Sequence, residues 1–96
     1  MASVRNLKKD IDYLTSLVFV DCLQYISYFE NADKKAATKI VEKLIASRND
    51  LRKRVNHPDG KDNPALVKAY YDKIAHDLMD VCDKAYEELG KLVEKV

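Results

Sequence analysis

Asn56-His57-Pro58-Asp59-Gly60-Lys61-Asp62-Asn63-Pro64 is the stretch that decides the fold. It holds both prolines, one of the two glycines and one of the two histidines. Asn56 tolerates the left-handed conformation that often closes a helix. His57 precedes a proline and is pushed out of helical dihedrals. Asp59-Gly60 is a turn dipeptide, and Asn63-Pro64 is a start signal, with Asn as N-cap and Pro at the first helical position. Long helical patterns flank the stretch, so it acts as a pivot between two helices. Nine residues exceed the two to eight that usually join packed helices. His57, Asp59 and Lys61 are therefore expected as an exposed turn available to a partner.

Working outward, the N-terminal side carries two helical patterns. Helix one is expected over 4–29, capped by Ser3, with a core seam of Val4, Leu7, Ile11, Leu14, Val18, Cys22, Tyr25 and Phe29. The spacings of three and four mark a helix packed along one side. Glu30-Asn31-Ala32-Asp33 reads as the turn, with Asn31 or Asp33 capping helix two. Helix two is expected over 34–55, with the seam Ala37, Ile40, Val41, Leu44, Arg48, Leu51 and Val55. On the other side of the pivot, helix three is expected over 64–95, with Val67, Tyr70, Ile74, Leu78, Val81, Ala85, Leu89, Leu92 and Val96 as its seam. Opposite charges four apart, such as Lys73–Asp77 and Glu87–Lys91, support its exposed face. The architecture implied is an all-α, up-down-up antiparallel three-helix bundle, one domain over 1–96.

Composition agrees. The chain has 96 residues, 47% apolar and 34% charged, with a net charge of +1. That suits a folded helical domain and supplies no global field to recruit nucleic acid or an anionic membrane. The N-terminus is charged where a signal peptide would need an apolar run, and Leu17 to Val20 is the longest unbroken run of aliphatic or aromatic residues, too short to span a bilayer. The expectation is a cytoplasmic protein with no membrane partner and free thiols at Cys22 and Cys82, which lie at one level of the bundle.

Two helices offer more apolar surface than a three-helix bundle buries. From Tyr13 to Phe29 the sole charge is Asp21. Tyr13, Ser16, Val20, Leu23 and Ser27 fall opposite the core seam, a side that should be solvated yet carries no charge. Helix three has a second apolar stripe of Tyr71, Ala75, Met79, Cys82, Tyr86 and Val93. Uncharged outward faces mark partner surfaces, and a homodimer through helix one is the simplest version.

Candidate chemistry is sparse. Arg48 sits in the helix-two seam, where a guanidinium needs a carboxylate. Its level matches Asp77, with Tyr70 as a second candidate. An ion pair that fixes helix register is preferred to an anion-binding or catalytic arginine, although a small ligand-binding protein using Arg48 is a third reading. Asp21 is expected to pair with Lys43 or Lys84; a lone carboxylate does not make a general acid/base site. His76 points to solvent, and no third convergent ligand joins the cysteines and histidines, so neither a metal nor another cofactor is expected. The turn is not an EF-hand, because Val55 and Leu66 would occupy its first and twelfth positions. No phosphate loop, HExxH or GxSxG is present. These absences favour a non-enzyme.

Helix two is the basic element. Residues 31–56 hold eight Lys or Arg against three acids, and residues 65–96 hold five against seven. Lys34, Lys35, Lys39, Lys43, Arg52, Lys53 and Arg54 could contact nucleic-acid phosphates. The preferred reading is charge complementarity between helices two and three, since no base-reading element accompanies the cations.

Arg48-Asn49-Asp50-Leu51, the stretch from Val55 to Pro64 and the opening Val4-Arg5-Asn6-Leu7-Lys8-Lys9-Asp10-Ile11 resemble a family of short helical proteins from Bacteroidota bacteria. The resemblance covers nearly the whole chain. It implies a cytoplasmic bacterial protein but no activity, and no functional residue is carried over from it.

Overall fold

The computed structural model of the chain describes residues 4–56 and 63–96. Three helices account for almost all of them: α1 (Val4–Tyr28), α2 (Lys34–Asn56) and α3 (Pro64–Glu94). Each packs against the other two, and the molecule is a rod of 54 × 19 × 17 Å. This is the expected three-helix bundle, and its helix bounds differ from expectation by one residue at each affected end. Ser3 and the turn residues His57, Asp59 and Lys61 lie outside the described residues.

The helix ends follow from local chemistry. Asp33 caps α2, its Oδ1 accepting from the Ala36 N–H at 3.0 Å. Asn63 caps α3, accepting from the Ala65 and Leu66 N–H groups at 3.0 and 3.3 Å, with Pro64 following. Each cap satisfies backbone donors that have no partner inside the helix. Tyrosine hydroxyls serve both donors and acceptors at the helix ends. The Asp33 N–H donates to the Tyr25 hydroxyl at 2.7 Å, tying the end of α1 to the start of α2. The Tyr70 hydroxyl donates to the Arg54 carbonyl at 2.7 Å and the Tyr71 hydroxyl to the Val55 carbonyl at 3.4 Å, so α3 satisfies carbonyls in the last turn of α2.

The core runs the length of the rod. Leu7, Ile11, Val18, Cys22 and Tyr25 of α1 meet Ala37, Ile40, Leu44, Leu51 and Val55 of α2 and Ile74, Leu78, Ala85, Leu89 and Leu92 of α3. Thr15, which an apolar seam passes over, is 0% exposed. Its hydroxyl donates to the Ile11 carbonyl at 2.7 Å, which removes the cost of burying it and lets its methyl pack like that of valine. At the ends the seam is looser: Phe29 and Val96 are exposed.

Helix three is rotated from its expected setting. Tyr71 and Cys82, placed by the sequence on an outward stripe, are buried, Tyr71 at 8% exposure. Tyr70, Val67 and Val81, expected at the centre of the seam, are only half-buried. The hydroxyl of Tyr71 reaches the end of α2, so a polar requirement there turns the ring inward. The stripe that does face outward is Met79, Tyr86 and Val93.

Helix three continues through Gly90 to Glu94, and the burial of Leu92 shows that its final turns pack rather than project. Beyond its chain neighbours and the local backbone of its own helix, a Cβ at Gly90 would meet no described atom within 4 Å. Gly90→Ala is therefore expected to stabilise the protein by about 1 kcal/mol by reducing the freedom of the unfolded chain. Thermal denaturation checks this, with a rise in Tm of about 4–8 °C for a domain of this size.

Candidate self-association face and its polar frame

The rotation of α1 is set by two acids on its flanks. Asp12 faces α2, where its Oδ1 accepts from Arg48 Nε and Arg52 Nη1, each at 3.3 Å. Asp21 faces α3, against the hydroxyl of Tyr86. With α1 held between these contacts, Tyr13, Ser16, Val20, Leu23 and Ser27 all face outward and are exposed, Tyr13 at 63%, Val20 at 48% and Leu23 at 62%. Leu17 adds to the same side at 39%. The Ser16 hydroxyl donates to the Asp12 carbonyl at 2.6 Å, so it is satisfied within its own helix.

The ion pair expected between Arg48 and Asp77 does not form. Arg48 pairs with Asp12, and Asp77 takes Arg54 Nη2 at 2.9 Å and Lys73 at 3.7 Å. The reason is rotational. Lys43, Ser47 and Arg54, spaced four and seven apart, line the side of α2 that meets α3, while Arg48 lies about 100° on from Ser47, toward α1. Tyr70 likewise reaches Arg54, not Arg48. Asp12 was the residue missed. A signal for it existed: folding α1 back on α2 about the short turn places Asp12 midway between the levels of Arg48 and Arg52.

The expected partner of Asp21 is corrected too. Lys43 pairs with Glu88 across the α2–α3 groove at 3.2 Å, whereas Asp21 lies in the α1–α3 groove beside Tyr86. Burial first, and then the hydrogen bond and negative charge of Asp21, push the Tyr86 phenol up to about 12. The phenol therefore stays protonated as a donor to Asp21.

Cys22 and Cys82 are both buried and free. They flank the same groove, each close enough to raise the Tyr86 phenol. Burial, with Asp21 beside Cys22 and Asp83 beside Cys82, pushes both thiols up. Thiols held protonated in this way are poor nucleophiles and poor metal ligands. No group of three potential metal ligands occurs among the described residues. His76 is exposed beside Asp80 at 3.7 Å.

The basic character of α2 is partly absorbed within the chain. Arg54 and Lys43 reach α3, while Arg48 and Arg52 reach α1. Lys34, Lys35 and Lys39 line a surface depression with Thr38 and Glu42. A groove of about 390 Å³ between α2 and α3 is lined by Ile40, Leu44, Val81 and Ala85, with Lys43, Lys84 and Glu88 at its edges. Ser47 also lines it. Among the described residues, no helix is long and apolar enough to cross a membrane.

No family, curated protein or solved structure was found to match this chain.

Arg54 holds the Asp77 carboxyl below the usual carboxylate range, with Lys73 adding to the effect. Asp77 thus contributes stability that is present above the ordinary carboxylate pKa and lost as pH falls through its lowered value. Asp77→Asn should cost about 1 kcal/mol at neutral pH, as partly exposed pairs do. Urea denaturation at a series of pH values should show the gap between variant and wild type closing on the acid side.

Proposed function

We propose that the protein is a non-catalytic helical interaction protein of the bacterial cytoplasm that works as a homodimer through the outward face of α1. The observation that carries this reading is the charge-free run of Tyr13, Ser16, Val20, Leu23 and Ser27, exposed along a helix whose other three sides are committed to the core, to α2 and to α3. A helix face left to solvent normally alternates polar and charged residues, and a continuous uncharged patch marks contact with another macromolecule. The resemblance to a Bacteroidota helical family is the support for the bacterial setting.

Magnitudes point to reversible association. Tyr13, Val20 and Leu23 from two copies would each contribute about 1–2 kcal/mol on burial, since part of each side chain is already covered. Association costs about 4–15 kcal/mol in lost rigid-body freedom. The balance favours a dimer that dissociates on dilution rather than an obligate one. Another helical protein presenting a similar face is the second occupant of the same surface.

The nucleic-acid reading of α2 has weaker support, because Lys43, Arg52 and Arg54 already meet carboxylates of the same chain. The small-ligand reading loses the Arg48–Asp77 pairing on which it rested.

Sedimentation over a range of concentrations tests the proposal. Wild type should move from one toward two chain masses as concentration rises. Val20→Lys/Leu23→Lys should remain at 11.0 kDa with an unchanged helical spectrum, because both positions are exposed in the single chain. A wild type that stays at one chain mass throughout would contradict it.

A further inference from the structure

We propose that the groove between α2 and α3 binds a small monocarboxylate with a linear apolar chain. The carboxylate lies between Lys84 and Ser47, and the chain lies on Ile40, Leu44, Val81 and Ala85. The first argument is the register of the charges along the groove. Lys43 of α2 meets Glu88 of α3 at 3.2 Å, and Arg54 meets Asp77 at 2.9 Å. Eleven residues separate Lys43 from Arg54 and eleven separate Asp77 from Glu88, so both pairs belong to one antiparallel register. Ser47 is four residues on from Lys43, and Lys84 four residues before Glu88, which sets the two opposite one another in that register. At this crossing the groove has a cation and no carboxylate, whereas an ion pair closes it on either side.

Lys84 finds no carboxylate elsewhere among the described residues. The acids at helical spacing from it are already engaged, Glu88 with Lys43 and Asp80 beside His76. Ser47 is in the same condition. Thr15, Ser16 and Thr38 turn their hydroxyls back onto the carbonyl four residues before, but the half-buried Ser47 makes no hydrogen bond among the described residues. A carboxylate between the two would take the ammonium as counter-ion and accept a hydrogen bond from the hydroxyl.

The floor sets the rest of the ligand. Ile40, Leu44 and Ala85 are buried and Val81 is half-buried, with small side chains at Ser47 and Ala85 keeping the groove open. Its volume of about 390 Å³ is in the range of small-molecule sites, and from Ile40 to Ser47 it runs about 10 Å. A linear aliphatic chain suits that shape. A second carboxylate at the end of the chain would approach Glu88 or Asp77, so the charges select a monoanion over a dianion. The groove lies between α2 and α3, away from the outward face of α1, and its occupancy does not depend on self-association.

A titration of the full chain, followed by backbone amide NMR, tests the site with octanoate, octanol and the dicarboxylate suberate as probes. Octanoate should give saturable shifts at millimolar concentration, largest around Leu44, Ser47, Val81 and Ala85. Octanol and suberate should each bind about fivefold more weakly, the effect of losing one partly exposed ion pair or of adding one repulsion. Lys84→Gln, at an exposed position, should bind octanoate no better than wild type binds octanol. Ser47→Glu supplies the carboxylate within the chain and should remove octanoate binding with the helical spectrum unchanged. Octanol bound as tightly as octanoate, or octanoate bound equally by Lys84→Gln and wild type, would overturn the charge pairing on which the proposal rests. Shifts centred on Tyr13, Val20 and Leu23 would place the ligand on α1 and overturn the groove, as would the absence of any saturable shift.

Discussion

The rotational setting of α1 is the constraint from which the rest of the structure follows. Its buried seam, Leu7, Ile11, Val18, Cys22 and Tyr25, fixes which side enters the core. Apolar packing is not directional, so the seam alone leaves play about the helix axis. Asp12 on one flank and Asp21 on the other remove that play, by contact with Arg48 and Arg52 of α2 and with Tyr86 of α3. Each exposed contact is worth little in stability. Their value is orientation: with both made, Val20 and Leu23 point away from the bundle.

The charges of α2 complete the frame. Cations on one of its sides reach α3, at Asp77 and Glu88, and those on the other reach Asp12 of α1. A helix that looks like a nucleic-acid contact in sequence thus spends much of its charge within the chain. The ends of α2 are tied as well, at one end through the Asp33 N–H and Tyr25, and at the other through carbonyls met by Tyr70 and Tyr71. The hydroxyl of each of these tyrosines meets backbone of a helix terminus, and the rings of Tyr25 and Tyr71 are buried in the core.

Much of this was legible in the sequence because it is local. Helix periodicity, the Asn63 cap with Pro64 and the Asp33 cap depend on residues within a few positions of one another. The outward placement of Tyr13, Ser16, Val20, Leu23 and Ser27 was legible for the same reason. What was not legible depends on how one helix turns against another. Comparing levels along the bundle brought Arg48 near Asp77 but ignored that Arg48 lies on the α1 side of α2. Counting apolar spacings placed Tyr71 outside, because the pull of the Val55 carbonyl on its hydroxyl lies beyond any periodicity. Thr15 escaped because its self-satisfied hydroxyl makes it an apolar residue in all but name.

The central claim is that the outward face of α1 is covered by a second copy of the chain. Hydroxyl-radical footprinting at high and low protein concentration reads this directly, residue by residue. Tyr13 and Leu23 should be oxidised in dilute protein and protected in concentrated protein, while Leu66, exposed in the first turn of α3, should react equally in both. Equal oxidation of Tyr13 and Leu23 at both concentrations, in protein whose mass does change, would contradict the account.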